Sequence, residues 1–345
     1  MAKIEPDFAR FHAAVSREHL PDRVPNGEAV VDFEIMEAFL ERPLAGLADY
    51  AEFWATAGYD YAVLSVRGQP LGDSFQKRIA EGVLYRQEDA ESAGTFSGGI
   101  QDEQDFNAYP WIGPEGLYYR DVDEIEPHLA DGMKLIVNVG PLFSGIWRCM
   151  GLENFAIACV EQPDLVARIA EKMGELMVSI AANAVQRPYV GAIWLGDDMA
   201  YTSGLMVHPE FLRSNVFPFY RRIGDLCRQY DKLFVFHSDG KLLEVFDDLL
   251  ACGIQAINPN EPASVDIVQL KAEWGSRVAL IGNVDVDLLA RGTPEQVTAA
   301  VKYLIENVAP GGGYAVSSGN SIAHYSVMAN SRALLDAVHR FGAIY

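Results

Sequence analysis

An apolar run, Phe234-Val235-Phe236, ends in His237-Ser238-Asp239-Gly240. On an extended segment residues two apart share a face, so the imidazole of His237 and the carboxylate of Asp239 can converge on one point. Such a pair supports either of two chemistries. Asp239 can fix the His237 tautomer and raise its basicity, leaving the second ring nitrogen to exchange a proton with a substrate. Alternatively both groups ligate a divalent ion, and Glu261, in the Pro-bounded turn Asn258-Pro-Asn-Glu261-Pro, is the expected third donor. Glu261 is also a candidate acid or base, its structural alternative being a loop brace bonded to backbone amides.

Other polar side chains stand just beyond apolar runs. Asp197 and Asp198 are adjacent on a turn, so only one can face inward as a substrate anchor while the other caps a helix or meets solvent. Their spacing does not choose between them. Asn283 and Asn320 are expected to orient a substrate, and Asp285 either joins them or closes the turn before Leu288. Phe143, Trp194 and Tyr201, with Tyr61 and Trp147, can wall a flat pocket, Trp194 being divided between pocket and core. His324 and Tyr325 would close its edge. The remaining histidines read as surface or capping residues.

These residues need elements to hold them. Short apolar runs at 28–31, 61–66, 135–139, 192–195, 233–236, 256–258, 278–281 and 314–317 alternate with segments of helical period, the trace of repeated βα units. Helix starts are marked by Gln162-Pro163-Asp164, by His208-Pro209-Glu210, and by Thr293-Pro294-Glu295-Gln296 with its capping-box Gln. Eight such units, without a Gly-rich phosphate fingerprint after the first, predict an α/β fold: a single (β/α)8 TIM barrel spanning residues 1–345. Residues 67–133 break the rhythm and are polar and rich in Gly and acid, with alternating stretches at 82–87 and 94–98. This excursion after strand 2 is expected to form a lid or partner surface over the barrel mouth.

Composition narrows the partners. The formal charge of -21 disfavours nucleic acid and anionic membrane surfaces, leaving a small-molecule substrate or another protein. Cys149, Cys159, Cys227 and Cys252 have neither zinc-knuckle spacing nor the density of a disulfide scaffold. With no apolar leader or long uncharged run, a cytoplasmic enzyme is expected.

Five motifs now fall in order: Gly140-Pro-Leu-Phe143, His237-Ser-Asp-Gly240, Asn258-Pro-Asn-Glu261-Pro, Gly282-Asn283-Val-Asp285 and Ala309-Pro-Gly-Gly-Gly-Tyr314. From about Tyr59 onward the chain resembles the uroporphyrinogen decarboxylase superfamily, which holds true decarboxylases alongside zinc-dependent methyltransferases served by a corrinoid protein. The resemblance implies a barrel with its site at the strand C-termini and, by analogy, a homodimer. The decarboxylases' Arg-rich, carboxylate-clamping stretch corresponds here to Arg23-Val-Pro-Asn-Gly-Glu-Ala-Val-Val-Asp-Phe-Glu34, rich in acid instead. Their Asp after the second strand has no counterpart at Ser65-Val66-Arg67, and their His after the eighth strand aligns with Asn320. The methyltransferases' His-x-Cys and distant Cys correspond to His237, Asp239 and Asn320, so any metal, zinc included, would meet His237, Asp239 and Glu261 rather than thiolates.

The expectation is therefore methyl transfer or demethylation of a small methylated or aromatic substrate, with a corrinoid protein or reduced folate as exchange partner. His237, Asp239 and Glu261 would act in catalysis; Asp197, Asp198, Asn283, Asn320, Trp194, Phe143 and Tyr201 would bind substrate. A metal-free decarboxylase of a tetrapyrrole-like or smaller aromatic acid, and a non-catalytic corrinoid or tetrapyrrole binder, are the alternatives.

Overall fold

The computed structural model describes residues 5–68 and 99–343. Seven parallel strands form one curled sheet in chain order: β1 (Tyr61–Ser65), β2 (Lys134–Val139), β3 (Val190–Gly196), β4 (Leu233–His237), β5 (Ala256–Asn258), β6 (Ala279–Val284) and β7 (Tyr314–Ser318). Nearly every strand side chain is buried, as expected for parallel strands covered on both faces. Register runs directly from strand to strand, for instance Gly196 opposite His237 and His237 opposite Asn258, which aligns the strand C-termini at one level. This is the α/β barrel expected from the sequence, with one difference.

The first expected strand, 28–31, is not a regular strand. Residues 24–31 cross irregularly between the two sheet edges: Asn26 makes an isolated parallel bridge to Val316 in β7 and Val31 one to Ile322 just beyond it. Toward β1, Asn26 Nδ2 donates to the Gly58 carbonyl at 3.0 Å and the Tyr61 hydroxyl to the Glu28 carbonyl at 2.9 Å. Pro25 lacks an amide hydrogen and Gly27 weakens strand preference, so a continuous ladder is not sustained there.

The helix α1 (Phe8–Ser16) closes the opposite end. Three of the contacts at it and its caps reach residues that precede strands: Phe8 N donates to Gly132 O, Asp7 N to Asp60, and Arg17 Nη1 to Ser276 O. Phe11 is fully buried and packs 4.6 Å from the Tyr61 ring and 6.4 Å from Trp194. Burial of such a side chain contributes roughly 2–3 kcal/mol, so the strand N-termini are sealed by an aromatic plug.

The helix starts follow the sequence signals. Pro163 opens 163–184, His208 caps 209–215 through its ring nitrogen, and Thr293 and Gln296 form the capping box of 294–308. The described part of the excursion lies against outer helices: Ile100 N bonds Cys149 O, and Arg168 stacks over Phe106 at 4.1 Å. The alternating stretches at 82–87 and 94–98 lie outside the described residues. Among the described residues no helix is long and apolar enough to cross a membrane, and all four cysteines are free thiols.

Candidate active site

Asp198, His237 and Asp239 meet at the C-terminal ends of β3 and β4. His237 ends β4, and its Nε2 lies 3.8 Å from both Asp198 Oδ1 and Asp239 Oδ1. The other ring nitrogen, Nδ1, faces Asn258 Oδ1 at 2.6 Å. Asn258 is buried, and its amide nitrogen is committed to Ser317 Oγ at 3.2 Å and Ile281 O at 3.5 Å. Its oxygen must therefore accept, which places the proton of the neutral imidazole on Nδ1 and the lone pair of Nε2 toward the two carboxylates.

Asp239 is held by Asn320, whose Nδ2 donates to Oδ2 at 2.8 Å. Oδ1 of Asp239 is buried and unpartnered. Burial pushes the Asp239 carboxyl up to about 6; His237 opposes that shift, while Asp198 and Glu261 reinforce it. Asp198 receives the Asp239 amide at 3.1 Å and is half-exposed. Among the described residues these three side chains form the candidate metal-ligating group. Separations of 3.8 Å suit donors that each sit about 2.0–2.2 Å from a shared ion. One imidazole and two carboxylates make a hard donor set, which suits zinc, manganese or iron better than a thiolate-dependent site.

Asp198 therefore stands where Glu261 was expected as the third ligand. Glu261 accepts from Ser264 Oγ at 2.8 Å within its own turn, outside the cluster but near enough to raise Asp239 electrostatically.

The adjacent carboxylate has a different task. Asp197 is buried and accepts from the amides of Leu142, Phe143 and Ser144, from Ser144 Oγ, and from the Tyr220 hydroxyl. It thereby anchors the start of helix 143–150, whose first amides lack intrahelical partners. Asp197→Asn is expected to cost about 2 kcal/mol of unfolding free energy, read by urea denaturation, because an amide group would oppose backbone donors; the lower cost of burying a neutral side chain offsets part of the loss.

The other expected binding residues divide. Asn320 touches the cluster; Asn283 is buried and its amide braces the Asn260 carbonyl at 2.7 Å. Asp285 caps the helix that follows it through the Asp287 amide. Phe143 and Trp194 expose no surface to a ligand: Phe143 packs against Phe155 and Phe211, and Trp194 against the α1 plug. They are core residues in this structure, because a strand or helix start facing another element buries its largest side chains first. Tyr201 is exposed on a two-stranded hairpin, 200–201 with 204–205. Gly240 lets that hairpin approach: its φ is +82°, and a Cβ there would sit 2.4 Å from Ala200 O. His324 and Tyr325 make an edge-on ring pair at 5.5 Å, and His324 bonds Asp32.

Two contributors escaped the sequence reading. Asn258 was passed over for its neighbour Glu261, though a buried polar residue ending an apolar run is a usable signal. Glu28, in the irregular closing segment, is almost wholly buried and accepts from Ser318 N and Oγ. Burial raises its carboxyl to about 7, against the lowering pull of the Ser318 bonds and of His237.

Residues 100–341 match the family model described as uroporphyrinogen decarboxylase. Similar proteins include the uroporphyrinogen decarboxylase of Tolumonas auensis, 28% identical over 265 residues and 72% of each chain. That of Mannheimia succiniciproducens is 24% identical over 188 residues, 53% of this chain and 51% of its own. Among solved structures, a methyltransferase from Methanosarcina mazei superposes with a TM-score of 0.68 at 16% identity, covering 96% of this chain and 98% of its own. At that identity the likeness speaks for the barrel architecture.

Proposed function

The chain belongs to the uroporphyrinogen decarboxylase family, and from that premise we propose that it is a methyltransferase of the family's methyltransferase-like branch. It would exchange a methyl group between a small substrate and a corrinoid carrier protein or reduced folate. One observation carries this reading: the Nε2 lone pair of His237, the unpartnered Oδ1 of Asp239 and Oδ1 of Asp198 face one another at the barrel mouth.

That arrangement concentrates negative charge. Asp198 and Asp239 flank the imidazole and Glu261 adds to the charge acting on Asp239, whereas Arg23, the cation of the acid-rich N-terminal stretch, lies at the other end of the barrel beside Gly58 and Asp60. A substrate bearing many carboxylates would be repelled, so the tetrapyrrole substrate named for the relatives fits poorly. A cation or a neutral nucleophile fits.

A divalent ion held by Asp198, His237 and Asp239 would lower the pKa of a substrate's heteroatom. Asn258 keeps the His237 ring turned so that Nε2 faces the substrate side. The Asp239 carboxyl, raised to about 6 by burial, is ionised at neutral pH and so available as a ligand to that ion, and the heteroatom's proton would leave to solvent. The freed lone pair then attacks the methyl carbon, and the electron pair of the broken bond stays with the carrier. Asn320 fixes the Asp239 rotamer during that transfer.

The test combines elemental analysis of the purified protein with incubation against methylcobalamin and candidate thiols, amines and phenols. Loss of the methyl-cobalt absorption at a rate proportional to enzyme is expected, with stoichiometric divalent metal. Carbon dioxide release from an aromatic acid without any corrinoid, and no demethylation, would replace this reading with the metal-free decarboxylase.

A further inference from the structure

A second cavity, of about 500 Å³, lies at the other end of the molecule. Gly58 and Asp60 precede β1, and Arg10 belongs to α1, so the cavity opens where the strands begin and not at the mouth that holds His237. Its volume falls in the range that encloses small organic ligands. Its wall combines guanidinium groups of Arg10, Arg23 and Arg332 with apolar surface from Val24, Phe39 and Leu335. In a chain of formal charge -21, a concave surface with three arginines is unlike its surroundings.

The three cations are not equivalent. Arg10 is neutralised by Asp22 at 2.7 Å and by Asp60 at 2.6 Å, and Arg332 has Glu41 at 3.5 Å. Asp336, which also lines the cavity, is exposed to solvent. Arg23 has no carboxylate partner among the described residues: its Nη2 donates to the carbonyls of Val338 and His339, leaving the Nε and Nη1 hydrogens uncommitted. A part-buried guanidinium with no carboxylate in bonding contact, Asp22 and Asp60 acting on it only from farther away, favours a singly charged anion. Asn26 supplies an independent observation. It is 6% exposed, its nitrogen is bound to Gly58 O, and its Oδ1 is buried without a partner. Buried acceptors of this kind are normally satisfied, so the ligand should bring a donor to it.

We propose that this basal cavity is a binding site for a small monocarboxylate bearing a hydroxyl group, with Arg23 facing the carboxylate, Asn26 Oδ1 accepting from the hydroxyl, and Phe39, Val24 and Leu335 covering the hydrocarbon. The site is distinct from the barrel mouth and does not depend on the reaction proposed there.

Isothermal titration with 3-hydroxybutyrate, using 3-hydroxybutyramide as the uncharged control, tests the assignment on the full chain. Saturable binding of the acid below about 1 mM, at least tenfold weaker in Arg23→Gln and unchanged in His237→Ala, is expected. The amide should not compete. Equal binding of acid and amide, no saturation by the acid, or weakening by His237→Ala with none by Arg23→Gln would overturn it. Should Arg23→Gln fail to fold, the Arg23 Nε–H resonance of the unaltered protein decides. A shift on adding the acid but not the amide supports the site, and an unmoved resonance refutes it.

Discussion

His237→Ala is expected to lower methyl transfer by at least 10³-fold while moving the melting temperature by no more than a few degrees. The activity loss follows from removing the Nε2 donor on which the cluster converges, and general acid–base or ligand groups of this kind are worth about 10²–10⁴-fold each. The modest stability change follows from position. His237 is 19% exposed and makes one side-chain hydrogen bond, to Asn258. Leaving Asn258 Oδ1 without that donor costs about 1–2 kcal/mol, a small displacement for a chain of this size. Steady-state assay beside a calorimetric scan checks both halves; a collapse in stability with activity retained would return His237 to a purely structural role.

Asp239→Asn should do the opposite to stability while also removing activity, by roughly 10²–10³-fold. The Asp239 carboxyl is raised from 3.8 to about 6, chiefly by burial, so the folded protein holds that proton more tightly than the unfolded chain does. Its contribution to stability is fully present below about pH 4 and is lost as pH rises to about 6. Above that, ionised Asp239 is a burden beside Asp198 and Glu261, and the neutral amide relieves it by roughly 1–3 kcal/mol, the lower end favoured because the side chain is 32% exposed. Asn320 can still donate to the new amide oxygen. Urea denaturation at pH 4 and pH 8 should show near equality at the first and a more stable variant at the second. Added zinc or manganese should raise the melting temperature of the parent and leave the variant unmoved.

Much of this architecture can be read from the chain before folding. The runs at 61–66, 135–139, 233–236 and 314–317 fall within β1, β2, β4 and β7 or a residue beyond, because strands buried on both faces leave nearly continuous apolar traces. Thr293-Pro-Glu-Gln296 and His208-Pro-Glu210 announce their helices through local hydrogen bonding alone. The His-x-Asp pair is equally local, since both side chains ride on one extended segment.

What escapes is whatever depends on contact across the sequence. Nothing near Asp197 reveals that helix 143–150 needs an anchor 55 residues away, so which of Asp197 and Asp198 turns inward is invisible locally. Asn258 binds His237 on the neighbouring strand and Ser317 two strands away, and looks in sequence like a turn residue before a proline. Trp194 and Phe143 carry aromatic rings suited equally to a pocket wall and to a core, and only the position of α1, or of Phe155 and Phe211, decides.

The irregular segment 24–31 makes the barrel a ring with a single clasp. Regular ladders resist opening together, but the span from β7 to β1 depends on two isolated bridges and a few side-chain bonds, so fluctuations that admit water will concentrate there. Glu28 rides on that clasp, and its carboxyl is held near 7 against an ordinary 4.5. Between those values a form with Glu28 in water sheds a proton that the closed form retains, so rising pH weakens this seam.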